Sequence, residues 1–168
     1  FDAYGVDISE EAISIGYEMM ESWGNLQANL TVQSMTKLKF ENSYFDAVID
    51  VFSSSCLNEE EFKIYIKEVV RVLKANGKFF CYTPGKGSDA YQYHKPAKLI
   101  DKSTLTGILR NDSPFAGNEY PFRFVHPREF EELMMQSGLS VNYLEVTRRS
   151  YYRQKEIFEH ITTEAVKA

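Results

Sequence analysis

Along most of this chain, short apolar runs ending on an acid or a turn residue alternate with segments whose apolar residues recur at helical spacing. That alternation restricts the fold more than any other feature. Tyr4-Gly-Val-Asp-Ile8 is strand-like and ends in a carboxylate. Ser9 is placed to cap a helix, Glu10 and Glu11 suit its first turn, and Ala12, Ile15, Met19 and Met20 follow at helical spacing until Gly24-Asn25. Leu30–Val32 is a second short strand. Phe45–Phe52 is almost unbroken in its apolarity, which suits a strand buried on both faces. Asn58 caps the next helix, with Glu59, Glu60 and Glu61 behind it and Phe62, Ile66, Val69, Val70 and Leu73 on its inner face. Asn76-Gly77 turns the chain into a strand over Lys78–Thr83. Pro127 opens a helix that runs to Gln136 and is ended by Gly138. Leu139–Thr147 and Ile157–Val166 alternate as strands, with Arg148–Glu156 between them as a hairpin loop. Strands separated by helices predict an open, mostly parallel α/β sheet, and the last two strands, joined without a helix, predict an antiparallel hairpin at its edge.

The stretch from Pro84 to His126 loses its periodicity and mixes Tyr, Phe, His, Lys and Asp. So long a connection in a compact domain points to a functional insert. A chain of 168 residues allows one domain, and 43% hydrophobic with 26% charged residues excludes a disordered chain. The net charge of −5 carries no basic stripe, which argues against nucleic acid as partner. No apolar run is long enough to span a membrane and no signal peptide is visible. Cys56 and Cys81 both lie in apolar runs, as buried thiols of a cytoplasmic protein would, and no His stands at ligand spacing from either, so no metal site is expected.

Four motifs, in order, resemble the class I S-adenosylmethionine (SAM)-dependent methyltransferases. Gly5-Val-Asp-Ile-Ser9 with Ala12-Ile13 resembles the family's second-strand motif. Leu38-Lys-Phe40 with Ser43-Tyr-Phe-Asp46-Ala-Val48 resembles its fourth-strand signature. Glu68-Val-Val-Arg71-Val-Leu73-Lys-Ala-Asn-Gly77 resembles its helix-to-strand turn, and Phe130-Glu-Glu-Leu133 with Ser137-Gly138-Leu139 its late helix. The resemblance implies a Rossmann-like sheet of order 3-2-1-4-5-7-6, with SAM as cofactor. The family's first strand and glycine-rich loop have no counterpart before Phe1. The expectation is therefore a partial domain over 1–168, a fragment of a longer gene, or a homodimer in which a second copy fills the gap by strand exchange.

The same resemblance implies site residues. Asp7, at the end of the second family strand, would accept hydrogen bonds from both ribose hydroxyls, and Ile8 follows it. Ser34 stands where relatives carry an acid for the adenine amino group, and Met35 would cover the adenine. The backbone of Asp50, Val51 and Phe52 would line the methionine end. The 84–126 insert would form the acceptor pocket and lid, with His94 and His126 as candidate general bases for a hydroxyl acceptor. Methyl transfer from a sulfonium depends chiefly on alignment, so a catalytic dyad is not required. Arg148, Arg149 and Arg153 could meet an acidic acceptor. The expected function is methyl transfer to a small molecule or glycan precursor. A nicotinamide-dependent oxidoreductase, which also carries an acid after its second strand, and a non-catalytic relic of the fold are the alternatives.

Overall fold

In the computed structural model, residues 1–24 and 26–168 are described, so the Asn25 half of the expected first helix stop lies outside them. Phe1–Phe40 and Glu41–Ala168 form two compact units, taken in turn.

In the first unit, β1 (Tyr4–Asp7) pairs in parallel with β2 (Asn29–Val32), Gly5 opposite Leu30 and Asp7 opposite Val32. Between them α1 spans Glu10–Ser22, and the Ser9 hydroxyl accepts from the Ala12 N–H at 3.2 Å, as the sequence predicts. Two glycines let helix and strand pack closely here. A Cβ at Gly5 would come within 2.7 Å of Leu30 Cδ2, and one at Gly16 within 2.6 Å of Leu30 Cδ1. Leu30 thus packs against both glycines, and a Cβ at either would oblige its side chain to shift. The Tyr17 hydroxyl donates to the Leu30 carbonyl at 3.0 Å and accepts from its N–H at 3.2 Å.

In the second unit, β3 (Phe45–Val51) leads through a 3-10 turn over Ser53–Cys56 into α2 (Glu59–Val72) and β4 (Leu73–Gly85). After a short α3 (Asp89–Gln92) come the two-residue strands β5 (Thr104–Leu105) and β6 (Phe122–Arg123), then α4 (Pro127–Gln136), β7 (Leu139–Tyr151) and β8 (Glu156–Lys167). The four-stranded sheet runs β3-β4-β8-β7, with β3 and β4 parallel and the last two pairings antiparallel. This is the 4-5-7-6 portion of the expected order, and β1 beside β2 is its 2–3 portion. Asn58 closes a capping box with Glu61 at the start of α2. The apolar face of that helix buries Phe62, Ile66 and Val69 completely, together with Tyr65 and Val72.

Three local expectations are corrected. β3 is an edge strand of its sheet, and Ile49 and Val51 on one of its faces are 72% and 55% exposed, so it is not buried on both faces. The loop of the terminal hairpin is shorter than Arg148–Glu156, because the ladder continues through Arg148–Glu159 to Tyr151–Glu156. Cys56 ends the 3-10 turn, outside any strand, and is exposed; only Cys81 is buried.

Segment 84–126 is packed. Ala90, Leu105, Ile108, Phe122 and Phe124 form a buried cluster with Phe158 of β8. Polar contacts reinforce it: the Arg110 guanidinium meets Glu156, itself fully buried, at 2.7 Å, and Asp89 accepts from the Ile157 N–H at 2.8 Å.

Candidate functional site

At the end of β1, Asp7 is exposed and its Oδ1 accepts from the Ser9 N–H at 2.8 Å. That bond fixes the carboxylate at the start of α1 and leaves Oδ2 without a protein donor among the described residues. Ile8 is 74% exposed beside it. The Asp7 carbonyl accepts from the Gln33 N–H at 2.9 Å, which brings the following turn to the same edge. Ser34 is exposed there and its hydroxyl pairs with that of Thr36 at 2.8 Å, while Met35 is half-buried. Gln33 escaped the sequence reading. It is buried and its Oε1 accepts from the Lys39 N–H at 2.7 Å, so it shapes the turn that carries Ser34 and Met35. A glutamine directly after a strand is too common for its position alone to single it out.

At the end of β3 the chain behaves differently. Asp50 is buried and spends its carboxylate inside the protein, accepting from the Ser54 N–H at 3.2 Å and standing 3.8 Å from Cys81 Sγ. Burial, and then the charge of Asp50, push the Cys81 thiol well up, so it stays protonated. Val51 is exposed, and Phe52 takes a left-handed backbone with φ of 63° where strand gives way to turn. A bulky residue in that region is unusual and marks a chain reversal under constraint.

The Phe52 ring stacks on Phe115 with centroids 5.1 Å apart, and Tyr82 and His160 complete the group. Of the chain's three histidines, His160 is the one that went unremarked in the sequence. It belongs to β8 and is 4% exposed, and its Nδ1 is buried with no hydrogen-bond partner. Burial lowers its pKa, helped by the charge of Arg149. The two expected histidines lie elsewhere. His94 is half-buried and its Nδ1 donates to the Tyr91 carbonyl at 2.9 Å, which leaves Nε2 as the basic nitrogen. His126 is exposed at the N-cap of α4. Arg148 is committed to Glu159 at 2.8 Å along the hairpin ladder.

A parallel β-α-β unit whose first strand ends on an acid, and a sheet whose last two strands run antiparallel, are features of the class I methyltransferase fold. Residues 1–77, a little under half of the chain, match the methyltransferase domain family, and the chain has the fold of solved methyltransferases. Among solved structures, a SAM-dependent methyltransferase from Methanosarcina mazei superposes with a TM-score of 0.76 at 22% identity, over 98% of this chain and 81% of that one. The PH0226 protein of Pyrococcus horikoshii gives 0.75 at 24% identity, over 100% and 72%. The 1,6-didemethyltoxoflavin-N1-methyltransferase of Burkholderia thailandensis, solved with bound 1,6-didemethyltoxoflavin and S-adenosylhomocysteine, gives 0.63 at 15% identity, over 98% of this chain and 60% of that one. No curated protein sequence matches the chain.

Proposed function

We propose that this protein binds SAM and transfers its methyl group to a small-molecule acceptor. The reading is carried by Asp7, an exposed carboxylate at the C-terminal end of a parallel strand in a chain of methyltransferase fold. An acid there suits the two hydroxyls of a ribose, since one carboxylate offers acceptors to both. Ile8, Ser34 and Met35, on the same edge of the first unit, are assigned to the adenine. In the second unit the backbone of Asp50, Val51 and Phe52 is assigned to the methionine end. SAM supplies an electrophilic methyl on a sulfonium, so the protein's part is to orient the acceptor and exclude water. His94, with a basic Nε2, and His126 are the residues of the insert assigned to receive the acceptor's proton. The test is calorimetric titration with S-adenosylhomocysteine and, separately, NAD. Binding of the first and not the second is expected. Binding of NAD alone would overturn the assignment.

A further inference from the structure

Arg123, in the short strand β6, is 2% exposed, and its guanidinium lies 3.4 Å over the ring of Phe62. Its hydrogen bonds are poor. Nη2 reaches the Ser54 carbonyl and hydroxyl at 3.4 and 3.5 Å, and Nε is buried with no partner. It makes no ion pair with a carboxylate among the described residues. Burial lowers its pKa to about 10, with the charges of Asp50 and Asp101 pulling the other way, so it is still charged at neutral pH. A buried guanidinium with most of its donors unspent is costly to keep, and a protein retains one where something else completes it.

That arginine lines a cavity of about 270 Å³ whose walls come from α2, α4 and the insert. Phe62, Val125, Phe130 and Leu133 supply apolar wall. The first turn of α4 faces it through His126 and Glu129, and no side chain caps that helix. Lys63 and Lys102 add positive charge, but both lean on Glu59, and Glu129 and Glu132 also line the space. Three cations against three carboxylates leave the lining balanced, and of these cations Arg123 is the one that no carboxylate pairs among the described residues.

We propose that this cavity binds a small monocarboxylate with an apolar or aromatic body, its carboxylate on the guanidinium of Arg123. A guanidinium donates charge-assisted hydrogen bonds to a carboxylate, and the apolar walls take the remainder of the ligand. The site belongs to the second unit alone and does not depend on methyl transfer.

The probe is sodium benzoate, titrated calorimetrically into the full chain, with benzamide and inorganic phosphate as controls. Benzoate is expected to bind one to one, and benzamide about tenfold more weakly or worse, since it lacks the charge. Arg123→Met is expected to abolish benzoate binding while leaving the ligand-free melting temperature unchanged or higher, because an unpaired charge gives way to a packed apolar side chain. Lys102→Glu, on an exposed side chain that cannot upset the core, is expected to weaken benzoate several-fold. Benzamide binding as tightly as benzoate, phosphate binding more tightly than benzoate, no benzoate binding at all, indifference to Lys102→Glu, or an Arg123→Met chain that melts well below the parent would each overturn the proposal.

Discussion

The imidazole of His160 lies flat against the phenol ring of Tyr82, with centroids 5.2 Å apart and planes within 2° of parallel. The two residues come from adjacent antiparallel strands, and Phe158 and Phe52 close on the same imidazole. Such a site favours the neutral ring. Its folded-state pKa is depressed, so below the ordinary histidine value the unfolded chain takes up the proton more readily than the folded one. Stability therefore rises with pH through the window between the depressed pKa and about 6.5, and is flat above it. His160→Gln should lose this part of the slope. Melting curves between pH 5 and 7.5 would show it as a smaller acid-side fall than in the parent, and an unchanged fall would rule His160 out as its source.

The ion pair of Arg110 with Glu156 ties the insert to β8, and the carboxylate is fully buried. Arg110→Met should cost about 3 kcal/mol, since it strands a charge that has no access to water. Replacing both residues, Arg110→Met with Glu156→Leu, should recover most of that loss. Urea unfolding of the two variants measures both terms; equal destabilisation by the single and the double change would show that the pair is not the cause.

Gly107 marks a point where two backbones nearly touch. A Cβ there would run into the carbonyl oxygen of Asn118, which already accepts from the Ile108 N–H at 2.7 Å. No flexible side chain can yield, so Gly107→Ala should cost about 2 kcal/mol. Proteolysis should then cut first inside 84–126, and a variant as resistant as the parent would contradict the close approach.

Asp7→Ala should weaken S-adenosylhomocysteine by about tenfold or more, the worth of a charge-assisted hydrogen bond. The carboxylate also holds the Ser9 N–H, so the change should lower the melting temperature slightly. Calorimetry separates the two effects. Wild-type affinity in the variant would remove Asp7 from the binding site.

The alternation of strands and helices was legible because each element carried its own signal. Ser9, Asn58 and Pro127 announce helix starts through chemistry local to a few residues, and the structure uses all three. The insert was not legible for the opposite reason. Its strands β5 and β6 are two residues long, too short to display a period, and its core is completed by Phe158 from far along the chain. Burial of β3 was misjudged because a run such as Ala47-Val-Ile49 reports apolarity but not what covers each face. Among the residues proposed for the site, Asp7 could be singled out from its place after a strand. His160 could not, since one histidine in an alternating strand looks like any other inward residue until Tyr82 and Phe52 are placed around it.

The double hydrogen bond from Tyr17 to Leu30 has a consequence for solubility. β2 pairs with β1 on one side, and its other side would otherwise offer bare peptide groups to any extended chain that met it. With one phenol engaging both backbone groups of Leu30, the middle of that border is already occupied, and a foreign strand would have to evict the tyrosine before it could add on.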